Sequence, residues 1–411
     1  AAGSSSRFKP ISDNRHKGLT SLLGKPIVEH TIEELQNIGI DDVVVIQGPE
    51  KRFEDEVDAE ASFRVQEEPR GMGHALNQAR DLLDEKFLVL NPYHAPSAHI
   101  IEELVEKARQ EGSETAFVSR ETESPEDYGI LDLEERKAVG VTEKPDPDEA
   151  PSNRRIVGMY LLSPDFFSHL DAVEEWEYQF EDALDRKVSG DPASVLFIDE
   201  ETISIKYPWD LFEFVEALLD ERGQAVSDGA EVAETAVIEG DVIVEEGARI
   251  FENAVVKGPA YIGRDAVVGN NALVRDHVSL EERVVIGTGA EVKNSVFQPG
   301  SSLHSGYIGD SVVGKETKIG AETVTANRKF RRDGDRPEIA SDLIAKGREQ
   351  ESGKSSLGAF IGDEVDIGVN VSLMPGVQVG SEAEIGPGTV VERNVQNGET
   401  VYVDQEKVRK E

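Results

Sequence analysis

The chain contains no cysteine in its 411 residues. Disulfides, thiolate nucleophiles and thiolate metal sites are therefore excluded. No apolar run approaches the ~18 residues of a membrane span, and no secretory signal is visible. A soluble, cytoplasmic protein without membrane partners is the expectation. Basic residues are scarce: 43 Lys and Arg stand against 82 Asp and Glu, a formal charge of −39. Nucleic acid is a poor partner for such a surface, since phosphate binding needs a basic face. The acid is spread along the whole chain, which marks a solvated surface rather than a disordered arm. High salt screens self-repulsion within ~3 Å at 1 M, and a halophilic source is the expectation.

What is present divides into two halves of different period, at a length sufficient for two cores. In residues 1–224, apolar runs alternate with amphipathic segments. Val43-Val44-Val45-Ile46, Phe87-Leu88-Val89-Leu90 and Thr115-Ala116-Phe117-Val118 predict strands of the buried parallel kind. Residues 26–38, 73–83, 98–110 and 209–222 predict helices. Strands alternating with helices imply a layered, Rossmann-like α/β domain. The chain opens at Ala1 inside a turn-like stretch, and an N-terminal truncation is expected there.

Residues 225–400 follow a period of six. Val232, Ile238, Val244, Ile250, Val256, Ile262, Val268, Val274, Leu280, Ile286 and Val292 recur without a break. Two places before each sits a small or β-branched residue, such as Ala248, Ala254 or Ala266. Each hexad reads as one short strand and one turn, and three hexads as one triangular coil with the aliphatic residue inward. This predicts a left-handed parallel β-helix. The phase resumes at Tyr307, Val313, Ile319 and Thr325, and again at Ile361, Ile367, Leu373, Val379, Ile385 and Val391. Two interruptions, near residues 301–305 and 327–357, are expected to be loops on the solenoid face, where binding residues commonly lie. Residues 401–411 form a mixed acidic and basic tail.

In the first half, Ala1-Ala2-Gly3-Ser4-Ser5-Ser6-Arg7, with Lys17 and Gly24-Lys25-Pro26, suits a small-residue loop that cradles a triphosphate, its charge met by Arg7 and Lys17. This stretch resembles the signature of sugar-1-phosphate nucleotidyltransferases. Gln66-Glu67-Glu68-Pro69-Arg70-Gly71-Met72-Gly73-His74-Ala75 looks like that family's base-recognition loop. Tyr128-Gly129, Glu143-Lys144-Pro145, Gly158-Met159-Tyr160 and Pro208-Trp209-Asp210-Leu211 match later segments in order. The resemblance makes Gly3, Arg7, Lys17, Gln66, Gly71, Gly129, Glu143 and Lys144 the candidate nucleotide-sugar site, for UTP or dTTP. It also implies Mg2+ on two carboxylates, but Tyr93 and Ser204 stand at those positions. Ile156 replaces a sugar-contacting Asn and Met72 a Thr. No metal ligand is therefore assigned, and Mg2+ is expected only if this half is active.

In the second half, Glu291-Val292-Lys293-Asn294-Ser295, His304-Ser305-Gly306-Tyr307-Ile308-Gly309-Asp310-Ser311 and Ile319 to Asn327 resemble an acetyltransferase domain. Its family is the bifunctional N-acetylglucosamine-1-phosphate uridyltransferase/glucosamine-1-phosphate acetyltransferases. Ser352-Gly353-Lys354-Ser355-Ser356-Leu357 and Leu373-Met374-Pro375-Gly376-Val377 look like its archaeal branch. Acetyl-CoA is then the acyl donor. Acyl transfer to an amine needs a base, and imidazole is the side chain that ordinarily titrates near neutrality, so His304 is the candidate. The resemblance places sugar phosphate on Lys293 and Tyr307 and the amino sugar on Asn327. Lys318 replaces a further Asn, and the spacing from Lys293 to His304 is one residue short of the family's. Arg328, Lys329, Arg331 and Arg332 form a basic run in an acidic chain, suited to steering acetyl-CoA or sugar phosphate or simply to a solvated face. The family also implies a homotrimer.

Three readings follow. In the first, a sugar-phosphate N-acetyltransferase is fused to a nucleotidyltransferase-like domain with a degraded metal site. In the second, both activities are present. In the third, the chain is a non-catalytic, sugar-nucleotide-binding regulatory subunit.

Overall fold

The computed structural model describes residues 3, 5–13, 15–94, 97–220, 222–331, 334–344 and 347–404. Arg332, the tail beyond Asp404, and Ala1, Ala2 and Ser4 of the opening turn lie outside that set. Contacts divide the chain into two units: Ala1–Ser4 with Val28–Ser204, and Ser5–Ile27 with Ile205–Glu411. This partition does not follow the change of period near residue 224. The segment carrying Arg7 and Lys17 groups with the β-helix.

The first unit is built on a six-stranded sheet. Arg154–Leu162 pairs antiparallel with Phe87–Leu90, Ala116–Glu121 and Gly129–Glu134. Only Ser194–Phe197 runs parallel to its neighbour, Ala116–Glu121. The sheet is thus mixed, and Phe87–Leu90 is not the parallel strand that its apolar run suggested. A short buried run cannot encode strand direction, because both directions bury both faces equally. Val44–Gln47 pairs parallel with Ser62–Val65 in a separate sheet. Along Ala116–Glu121 the side chains alternate: Phe117 enters one core, Ala116 and Val118 the other. Helix Gln179–Gly190 contributes Phe180, Ala183, Leu184 and Val188 to the first core. Helix Ala98–Glu111 contributes Ile100, Ile101, Leu104 and Ala108 to the second, at the 3.6-residue period. The helix expected over 73–83 is shorter. It runs Met72–Asn77 and tightens into a 3₁₀ turn at Arg80–Leu82.

The second unit is a left-handed parallel β-helix of three ladders with eight, nine and eight strands. Val244 pairs with Ile262 and Ile262 with Leu280, eighteen residues per coil. The six-apart aliphatic residues from Val244 to Val292 are buried to within 2% of completeness. Each buried Val, Ile or Leu is worth ~1.5–3 kcal/mol relative to exposure, so the column is the unit's main source of stability. The small residues two places earlier sit where coils turn. Corners use left-handed backbone, as at Asn253, Asp265 and Asn271.

The interruption expected near 301–305 is not a loop. Phe297 follows Val292 inward by five residues and Ile308 follows Leu303 by five, all four being fully buried. Val313 follows Ile308 by five as well, so three repeats are one residue short, and the ladder pairs Val292 with Ile308 and Phe297 with Val313. Tyr307 therefore faces outward, and Ile308 takes the inward place that counting in sixes assigned to Tyr307. The same shortening removes a residue between Lys293 and His304. The second interruption is real: Val313 pairs directly with Ile361 across it. The inserted segment forms an antiparallel hairpin, Ala340–Leu343 with Arg348–Glu351. Ile339 and Leu343 are buried, and Ser341 Oγ donates to the Gly376 carbonyl at 2.6 Å.

The N-terminal segment of this unit is fastened by buried polar contacts. Arg15 Nη2 meets Asp363 Oδ1 at 2.6 Å with both side chains under 10% exposed. The fully buried Glu281 carboxylate accepts the Leu23 and Gly24 N–H groups, each at 2.9 Å.

Candidate functional site

The third ladder of the β-helix stacks Arg275, Lys293 and Gly309 in register. Beside this column, Glu291 pairs with Tyr307 and Tyr307 with Val324. Gly309 has no side chain to obstruct the Tyr307 hydroxyl, which a Cβ there would overlap. Gly306, at φ 116°, lies against the Thr323 carbonyl where no Cβ fits. These two glycines let Tyr307 lie flat along the ladder toward Asn327.

Three side chains converge on Asp310, which is 2% exposed and sits at a corner with φ 51°. Lys293 Nζ lies 3.2 Å from Oδ1 and 3.4 Å from Oδ2. Asn294 Nδ2 donates to Oδ1 at 2.7 Å, and Asn327 Nδ2 to Oδ2 at 2.5 Å. The same Asn327 nitrogen donates to the Tyr307 hydroxyl at 3.0 Å. The predicted Lys293, Tyr307 and Asn327 are thus joined through Asp310, to which the sequence pattern assigned no role of its own. Burial pushes the Tyr307 phenol up, with the Asp310 charge acting in the same direction. Arg275 was also missed. Its guanidinium bonds Glu291 Oε1 at 2.7 and 3.0 Å and Asp276 at 2.6 Å. Its spacing of one full coil before Lys293 was the available signal.

His304 lies outside this hydrogen-bonded set. It occupies the turn between Ser302–Leu303 and Gly306–Gly309, exposed. It lines a shallow cavity of about 460 Å³ with Gly287, Ser302, Lys318, Gly320 and Asp366. Gly287 is required there, because a Cβ would overlap the His304 carbonyl. In the basic run, Arg328 Nε donates to Ser356 Oγ at 3.0 Å, and Lys329 and Arg331 are exposed. Phe330 between them is 95% exposed.

In the first unit, a cavity of about 2170 Å³ brings together Gly3, Gln66 and Gly71 with Met72 and Asn91. Gln66 is buried, donating to the Gly71 carbonyl at 3.1 Å and meeting His74 Nδ1 at 2.9 Å. Gly71, at φ 99°, packs against the Glu177 backbone. Glu143 is paired across the ladder with Gly129, and Lys144 Nζ lies 3.3 Å from its carboxylate. Lys144 also donates to Tyr178 Oη at 3.0 Å. Burial pushes the Glu143 carboxyl up, against the neighbouring Lys144. Burial lifts nearby Glu181 to about 7, and its Oε2 has no hydrogen-bond partner among the described residues.

Arg7 and Lys17 belong to the other unit. Lys17 Nζ donates to the Ile205 carbonyl, and burial lowers its pKa to about 8, opposed by Asp210. Tyr93 and Ser204 are half-buried hydroxyls. The carboxylates nearest Ser204 in sequence are engaged elsewhere: Glu200 with His99 at 3.0 Å, Glu201 with Arg120. Among the described residues, one group of three has metal-ligand spacing, Glu216, Asp220 and His277, and it lies in the β-helical unit. No described helix is long and apolar enough to cross a membrane.

A mixed α/β domain followed by a hexapeptide β-helix bearing a Lys-Tyr-Asn cluster defines a two-domain transferase. Residues 1–209 match the nucleotidyl transferase family. The chain belongs to the bifunctional sugar-1-phosphate nucleotidylyltransferase/acetyltransferase family. It is 32% identical to a protein of that name from Sulfurisphaera tokodaii, over 97% of this chain and 98% of that one. It is 36% identical to "Bifunctional protein GlmU" of Methanococcus maripaludis strain C7, over 99% and 97%. Among solved structures, a UDP-glucose pyrophosphorylase complexed with UDP-glucose matches with 22% identity and a TM-score of 0.48. It covers 54% of this chain and 97% of that one.

Proposed function

We propose that the β-helical unit transfers the acetyl group of acetyl-CoA to the amine of an amino-sugar-1-phosphate, of the glucosamine-1-phosphate type. The observation that carries this reading is the convergence of Lys293, Tyr307 and Asn327 on one hydrogen-bonded cluster beside a cationic column. Lys293 and Arg275 hold the phosphate. Tyr307 joins them on the sugar phosphate, and Asn327 orients the amino sugar. His304 takes the amine proton as the nitrogen attacks the thioester carbonyl, so that a C–N bond forms, the C–S bond breaks and CoA leaves as thiolate. Arg328, Lys329 and Arg331 draw the anionic donor toward the cleft. A consumer of acetyl-CoA and sugar phosphates works where these are made, which supports a cytoplasmic location.

The relatives' names favour a second reading, in which the first unit also transfers a nucleotidyl group from UTP or dTTP. Gln66 and Gly71 line the cavity of the first unit, which supports that reading, while Gly129, Glu143 and Lys144 are not among its lining residues. The metal is the difficulty. Mg2+ takes carboxylate oxygens beside substrate phosphates, and a phenol and a serine hydroxyl do not supply them. The residues present do not fit the ion, and no step is derived through it. The two activities separate in one pair of assays on the full chain. CoA release with glucosamine-1-phosphate and acetyl-CoA is expected. Its absence with every amino-sugar phosphate would refute the acetyltransferase reading. Mg2+-dependent pyrophosphate release from UTP or dTTP plus a sugar-1-phosphate would establish the second reading and show that other ligands serve.

A further inference from the structure

The amide of Asn327 makes two hydrogen bonds, both through its nitrogen. One N–H goes to Asp310 Oδ2 at 2.5 Å, the other to the Tyr307 hydroxyl at 3.0 Å. An amide nitrogen has two N–H groups and no more. With both engaged, the side chain is held in a single flip state, and its Oδ1 is left as the group that meets a ligand. A carbonyl oxygen accepts hydrogen bonds and cannot donate them. It therefore suits a ligand group with N–H bonds to give and opposes one that presents only lone pairs.

We infer that Asp310 is a positioning residue that fixes the Asn327 amide with its oxygen toward the substrate, and so selects the free amine. This rests on the acetyltransferase reading and deepens it. Asp310 itself is 2% exposed and cannot touch the sugar. Its carboxylate has only acceptors, so it can bond the NH2 edge of Asn327 and would repel the oxygen edge. Lys293 Nζ and Asn294 Nδ2 bond the same carboxylate, so its orientation is itself over-determined. The left-handed corner at Asp310 places that carboxylate between the Lys293 and Asn327 coils. Charge-assisted hydrogen bonds of this kind are among the stronger ones in proteins. An acceptor-lined amine site also accounts for discharge of the product, because acetylation converts the amine into an amide with a single N–H.

The test is Asp310→Asn in the full chain, alone and combined with Asn327→Ala. An asparagine at 310 can donate to Oδ1 of Asn327 and so permits the flipped amide. The expected result is a KM for glucosamine-1-phosphate raised on the order of tenfold, with the KM for acetyl-CoA unchanged. In the Asn327→Ala background the same change should add nothing, as a residue acting through Asn327 requires. If Asp310→Asn fails to fold, Asp310→Ser removes the carboxylate without supplying an amide. It should raise the same KM in the same direction, again with no further effect on Asn327→Ala. Unaltered KM values, or equal losses with and without Asn327, would overturn the inference while leaving the acetyltransferase reading standing. A wild-type chain that acetylates no amino-sugar phosphate would overturn both.

Discussion

Arg275 and Asp310 were hidden in the sequence for different reasons. An Arg beside an Asp at the end of a hexad strand looks like any surface pair, and only its eighteen-residue spacing from Lys293 pointed to the register that stacks the two. Asp310 follows a glycine at a corner, where aspartate is common for local reasons, so its bonds to Lys293, Asn294 and Asn327 left no trace. Lys293, Asn327 and His304 stood out as candidates because the residues around them carry a family pattern. Tyr307 was a candidate substrate ligand but was counted inward, because three five-residue repeats shift the phase without any composition signal. The cationic column yields a prediction. Arg275→Ala should raise the KM for an amino-sugar-1-phosphate by tenfold or more, the cost of about one charge-assisted hydrogen bond. Its effect on the unphosphorylated amino sugar should be small. Equal losses on both substrates in steady-state assays would place Arg275 in the scaffold rather than at the phosphate.

At the scale of elements, the β-helix was readable because each hexad repeats one aliphatic residue, one small residue and one turn. Strand direction in the first unit was not readable, since a buried run is apolar whichever way it runs. The hairpin Ala340–Leu343 with Arg348–Glu351 and the docking of Ser5–Ile27 depend on long-range polar contacts that have no period. Glu281 is the plainest of these. Burial pushes its carboxyl up from 4.5 to about 7, against hydrogen bonds from Ser279, Gly24 and Leu23 that favour the charge. The folded state then binds a proton that the unfolded chain releases. The stabilisation from that proton is complete below pH ~4.5 and is lost as pH rises to ~7, on the order of 3 kcal/mol in all. Glu281→Gln mimics the protonated form and has no such loss. Its melting temperature relative to wild type should climb between pH 4.5 and 7 and level off above. A difference that does not vary with pH would mean that the latch is not titrating.

For the whole molecule, the excess of acidic residues bears on assembly. We propose a homotrimer with sites completed at subunit boundaries, and a salt-loving habit consistent with the charge of −39. Repulsion between such subunits reaches further as the Debye length grows from ~3 Å at 1 M to ~10 Å at 0.1 M. Light scattering should therefore show a trimer in molar salt that dissociates at low salt, with turnover falling in parallel. A monomer at high salt would remove both the assembly and the shared site. The catalytic claim is tested most directly by measuring CoA release and molar mass on the same high-salt sample of wild type and His304→Ala. If His304 is the general base, the variant assembles as wild type does and loses on the order of 10²–10⁴ in kcat, with the KM for acetyl-CoA little changed. Wild-type turnover from a correctly assembled His304→Ala protein would contradict the account.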